Sequence, residues 1–112
     1  MSSVASAHHS AAAAYDASTS ISITGTVATF AWTNPHSHLY VDVTAGPFKG
    51  HAYVIELSSP VVLADEGWSP RSFKAGDRVT VHVFPSRAGA AIGLCRRCAV
   101  TVNGVTKPRT VE

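Results

Sequence analysis

Charge is the scarcest ingredient of this chain. Asp, Glu, Lys and Arg supply 14% of the 112 residues against 46% hydrophobic residues, and the formal net charge is +2 with the histidines neutral. That balance belongs to a globular chain, not a disordered one, and the length supports one domain with one core. Basic residues never gather into a long run; Arg96-Arg97, Lys107 and Arg109 come nearest. The extended cationic surface of an electrostatic nucleic-acid binder is therefore excluded, and no nucleic-acid partner is expected. No apolar run approaches the roughly 20 residues that cross a bilayer, so no membrane span is expected. A nucleophile elbow, a phosphate-binding loop and a dinucleotide fingerprint are also missing. No organic cofactor is indicated, and the reading leans away from an enzyme.

Cysteine is nearly absent too. Cys95 and Cys98 form one C-x-x-C with no second pair. A structural zinc site needs four ligands, and this motif interrupts a strand-like run instead of opening a helix as thioredoxin-like motifs do. A local disulfide or inert thiols are expected.

What the chain does have is histidine in clusters. Four of its six histidines fall in two short stretches, His8-His9 and the Trp32-Thr33-Asn34-Pro35-His36-Ser37-His38 corner. Imidazole is the commonest metal ligand. His36 and His38 are two apart, so a regular strand would point both to one face with room for an ion between them. The competing reading is that His36 hydrogen-bonds to the corner and orders the turn. His8 and His9 bring the donor set to three or four if the N-terminal arm packs back on the barrel. Ala5-Ser6-Ala7 has the small-x-small form of a signal-peptidase site. Cleavage there would make His8 the first residue, its amine and imidazole chelating together. An all-nitrogen set with open positions suits copper, with nickel or zinc less favoured.

Glu56, between Ile55 and Leu57, is the carboxylate expected to be partly buried, orienting an imidazole or serving as a ligand itself; the competing reading leaves it exposed by strand alternation. Asp42 and Asp16 are weaker candidates, and Asp77 belongs to a turn. Trp32 and Trp68 are expected as core or rim aromatics. Tyr40 and Tyr53 lie among almost no Lys or Arg, unlike a base-stacking surface. His51 and His82 sit in separate strands and are read as structural.

Periodicity organises the rest. Residues 1–7 are read as the remnant of an export signal or a flexible tail, and 8–19 as an Ala/Ser-rich arm. From Ser20, the residues Ile21, Ile23, Val27 and Phe30 predict a long first strand running to about Trp32, with Gly25 as a bulge or bend. Leu39, Val41 and Val43 alternate with His38, Tyr40 and Asp42, which places the second set together on the outer face. Gly46-Pro47 turns the chain into a third strand over residues 51–57. Ser58-Ser59-Pro60 starts a short helix over 61–66, closed by Gly67. Val79, Val81 and Val83 mark a fourth strand, and a fifth lies near 94–102, ending at the Asn103-Gly104 turn signal. Three strands, a helix and two strands, the first long and bent, predict an all-β fold: a small five-stranded OB-like barrel over 20–104, with one short helix between strands 3 and 4 and a C-terminal tail over 105–112. An SH3-like or open-sandwich arrangement is the second choice.

His8-His9-Ser10, Tyr15-Asp16, Thr24-Gly25-Thr26-Val27, Trp32-Thr33-Asn34-Pro35-His36, Glu56-Leu57-Ser58-Ser59-Pro60, Gly67-Trp68 and Lys74-Ala75-Gly76-Asp77-Arg78-Val79 follow one another in order. In this the chain resembles, from His8 to about Gly104, the small exported bacterial proteins catalogued as domain of unknown function 6152. It departs from their usual pattern at Cys95-Arg96-Arg97-Cys98 and at Ser58-Ser59. The resemblance implies a signal peptide ending before the His-His-Ser element, hence a periplasmic or secreted protein, and it implies no activity.

The leading expectation is a periplasmic barrel that handles or senses a transition metal, copper favoured, through His8, His9, His36 and His38, with Glu56 in support. Two other classes remain open. One is an enzyme or small-molecule binder using His36 with Glu56 or Asp16 as acid and base. The other is a module that recognises an envelope protein partner.

Overall fold

A computed structural model describes residues 13–108. The strands are β1 (Ile21–Ala31), β2 (His38–Val43), β3 (Ala52–Glu56), β4 (Arg78–Pro85), β5 (Ile92–Leu94), β6 (Val100–Val102) and β7 (Val105–Lys107), and the helix α1 (Pro60–Asp65) lies between β3 and β4. The sheet order β1-β2-β3-β5-β4 closes on itself through antiparallel β1–β4 pairing. β3 and β5 run parallel, and the other barrel pairs are antiparallel. This is the expected OB-like barrel with its helix in the expected place, extended by the β6–β7 hairpin on β4.

Barrel closure requires β1 to serve two neighbours. Its first half pairs with β4 and its second with β2, and Gly25 stands opposite both Val79 and Val43. A side chain there would collide with the Asp42 carbonyl and come within 2.9 Å of Val41 Cγ1. Gly25 is thus the close-approach point, while the register slip falls between Val27 and Thr29, where Ala28 is the extra residue. The cores of β2 and β4 follow the sequence alternation: Leu39, Val41, Val43, Val79, Val81 and Val83 are all buried.

α1 closes one end. Leu63 is its one buried residue, and Ser59 sits at the N-cap position with no side-chain cap bond. Gly67, at φ +98°, ends the turn. Beside Leu63, Phe73 meets Phe30 edge-on at 4.9 Å and stacks on Trp68 at 5.3 Å, and Trp32 meets Phe30 at 5.9 Å. Both tryptophans therefore pack against the core, as expected.

The expected fifth strand is divided. β5 lies between β3 and the end of β4 and pairs with both, β6 pairs with the earlier part of β4, and a Cys95–Cys98 disulfide occupies the jog between them. Asn103 and Gly104, at φ +50° and +83°, make the two-residue turn of the β6–β7 hairpin. Asn103 also accepts from the Arg78 N–H at 2.9 Å and donates to Asp77 Oδ1 at 3.2 Å. The stretch expected as tail from residue 105 thus begins with β7.

Candidate functional site

The corner between β1 and β2 is held by hydroxyls. Thr33 Oγ1 donates to the His36 carbonyl at 2.9 Å, the Thr33 N–H donates to Ser37 Oγ at 3.3 Å, and Ser37 is fully buried. The Ser37 backbone also bonds with Leu57 and Ser58, which fixes the corner to the end of β3. Among the described residues neither the His36 nor the His38 imidazole takes a hydrogen-bond partner, so both rings remain available on either side of the buried serine. The turn is therefore ordered without the His36 ring.

On β2, His38, Tyr40 and Asp42 share the outer face, with the His38 and Tyr40 rings 6.3 Å apart. His38 stands directly opposite Glu56 of β3. Opposed residues on one face of an antiparallel pair hold their Cβ atoms about 5 Å apart, so the carboxylate is within reach of the imidazole. Glu56 is itself screened, with its side chain 15% exposed. Tyr15 Oη donates to Glu56 Oε1 at 3.3 Å, and Arg96 Nη2 lies 3.8 Å from Oε2. Burial, and then the negative charge of Glu56, push the Tyr15 hydroxyl up to about 12.

Backbone pairing accounts for the presence of Tyr15. It bridges to Ser86, the Asp16 N–H donates to the Pro85 carbonyl at 2.9 Å, and the Arg87 N–H donates to the Ala14 carbonyl at 2.9 Å. Residues 14–16 thus form a strap across the end of β4 and deliver Tyr15 to Glu56. Asp16 caps its own turn: its Oδ1 accepts the Ser18 hydroxyl and the Ser18 N–H, which hold the carboxyl below the usual carboxylate range. His51 and His82 are exposed elsewhere, His82 beside Ser22 Oγ at 3.2 Å.

The structure sets His38 opposite Glu56 and adds to that carboxylate Tyr15 and Arg96, which the sequence did not assign to it, while His36 stays in the corner before β2. His8 and His9 lie outside the described residues. Among the described residues no three His, Cys, Asp or Glu side chains come together to hold a metal, so a metal centre here needs donors from the arm. No helix of the described residues is long and apolar enough to cross a membrane.

Fold and site together define a closed OB-like barrel on whose outer face His38 stands opposite a mostly buried Glu56 carboxylate bonded by the Tyr15 strap. The chain belongs to the family described as "Family of unknown function (DUF6152)", whose model matches residues 1–97. That match takes in the arm, the corner and the barrel strands through β5, and stops short of β6 and β7. No curated protein and no solved structure matches the chain.

Proposed function

We propose that this protein is a periplasmic binding protein that coordinates a transition-metal ion, copper favoured, through His36 and His38 together with His8 and His9, with Glu56 orienting the His38 imidazole opposite it. The observation that carries the reading is the strap. The arm is anchored at Tyr15 on Glu56, directly across from His38. His9 precedes Tyr15 by six positions, and six residues reach up to about 20 Å, a length that suffices for the proposed joint site. Two imidazoles and a carboxylate do not complete a site. The arm supplies the missing nitrogens, and such a nitrogen-rich set suits Cu(II). The Cys95–Cys98 disulfide supports an oxidising compartment outside the cytosol.

Calorimetric titration of Cu(II) and Zn(II) into protein beginning at His8 tests the reading, with the Met1 form, His36→Ala and His38→Ala as comparisons. One-to-one binding, tighter for Cu(II) and weakened at least tenfold by each change, is expected. Affinity no better than that of a free peptide carrying residues 8–14, or affinity indifferent to His36 and His38, refutes a joint site.

A further inference from the structure

A second concave surface lies away from the histidines. Between α1 and the β5–β6 jog runs a groove of about 360 Å³, walled by Leu57, Leu63 and Trp68 and lined by both cysteines of the disulfide. Arg97, from inside the C-x-x-C, reaches across it to Glu66 at 3.4 Å. Its rim continues onto Val61 and Val62, which are 75% and 42% exposed.

These features are unusual for a disulfide that only staples a core. A ring closed by four consecutive residues restricts the unfolded chain less than a long one does, so its structural value is small. The two sulfurs also differ: Cys95 is buried, whereas Cys98 is only partly buried. Arg97 lines the groove with both sulfurs while paired with Glu66, and a cation near a cysteine favours the thiolate that leaves in exchange. Exposed valines on an otherwise open rim offer an apolar seat beside it.

We propose that the Cys95–Cys98 disulfide is a thiol–disulfide exchange site whose substrate is a polypeptide carrying two cysteine thiols flanked by apolar residues. A substrate thiolate attacks Cys98 Sγ, the Cys95–Cys98 bond breaks, and Cys95 leaves as a thiolate that takes up a proton. The second substrate thiol, deprotonated, then attacks its own sulfur in the mixed disulfide and releases Cys98, which is protonated in turn. The substrate loses two electrons and two protons to form its disulfide, and the protein gains both as a dithiol.

The test mixes the oxidised full chain with a reduced synthetic peptide bearing Cys-x-x-Cys between leucines, and follows both partners by alkylation and mass spectrometry. Exchange with the folded protein at least as fast as with the protein unfolded in guanidinium is expected. Exchange slower by more than about tenfold shows shielded sulfurs and overturns the proposal. Val61→Glu with Val62→Glu, exposed changes that spare the core, should slow the peptide about fivefold and leave reduction by dithiothreitol unchanged. Equal effects on both reductants, or none, overturn the docking of a polypeptide. Cys95→Ser should trap the peptide's disulfide form as a mixed disulfide on Cys98. Equal trapping by Cys98→Ser overturns the assignment of the attacked sulfur.

Discussion

Adding one methyl group at Gly93 should expose how tightly β5 is seated. The residue lies on β5 against the barrel interior, where a Cβ would stand 2.6 Å from Val83 Cγ2 and 2.7 Å from Tyr53 Oη. Both separations are well inside van der Waals contact, and the neighbours are fully buried and close-packed. Overpacking of this kind costs about 1–3 kcal/mol, or about 4–12 °C in Tm for a chain of this size. The Tyr53 hydroxyl is buried with no hydrogen-bond partner among the described residues. Tyr53→Phe should therefore be neutral or stabilising, because it removes a buried polar group that was desolvated without a bond. In the Tyr53→Phe background Gly93→Ala should cost about 1 kcal/mol less, with the residual penalty set by Val83. Urea unfolding of the four proteins measures the cycle. Additive effects, or a loss of more than about 1 kcal/mol for Tyr53→Phe alone, would show that the hydroxyl is neither crowded nor orphaned as described.

Gly25→Ala should be worse than Gly93→Ala, because its Cβ meets the Asp42 backbone carbonyl instead of a movable side chain; a cooperative melt within about 5 °C of the parent would contradict the close approach. Tyr15 and Tyr53, both held by burial above their ordinary value of 10 at about 12, contribute stability that is intact below pH 10 and lost as pH rises towards 12. Tyrosinate absorbance and circular dichroism should show two of the three tyrosines ionising late and together with unfolding, one fewer in Tyr15→Phe. Asn103→Ala removes the bonds to Arg78 and Asp77 and places alanine at positive φ, so thermal melts should show a loss of about 1–2 kcal/mol. Glu56→Gln should weaken Cu(II) binding about tenfold if the carboxylate orients His38. Arg96→Gln, which removes a competing and partly exposed cation, should strengthen it about two- to fivefold. Calorimetry showing the same sign for both would separate Glu56 from the metal.

Residues whose role is set by their own strand were legible in the sequence. Period-2 alternation places Leu39, Val41 and Val43 inside and His38 outside, and the Asn103-Gly104 pair specifies its turn locally. Pro60 and Gly67 likewise bracket α1. What escaped depends on pairing between distant segments. Arg96 meets Glu56 only because β3 and β5 run parallel, and no local pattern near Arg96 announces that. Tyr15 sits in an Ala/Ser-rich stretch without periodicity, and its place is set by backbone bonds to Pro85 and Ser86 across the barrel end. Gly25 was recognised as special, but the sequence could not separate a bulge from a close approach, since both are satisfied by a glycine in mid-strand. The division of the fifth strand had one visible sign, the C-x-x-C inside a strand-like run.

Scarcity of charge gives the outer face its meaning. A chain with only seven carboxylates that leaves one of them 15% exposed must supply it with partners, because a half-buried carboxylate without them loses hydration it cannot recover. Two partners come from opposite ends of the chain: Tyr15 by hydrogen bond and Arg96 by charge. Closure of the barrel consumes the strand edges of β1–β4, so strap and jog can add only to the outer surface and both do so beside Glu56. Across the ladder, the His38 imidazole takes no hydrogen-bond partner among the described residues. Glu56 is thus satisfied by Tyr15 and Arg96 and stands opposite His38 at the point where the strap crosses the barrel end.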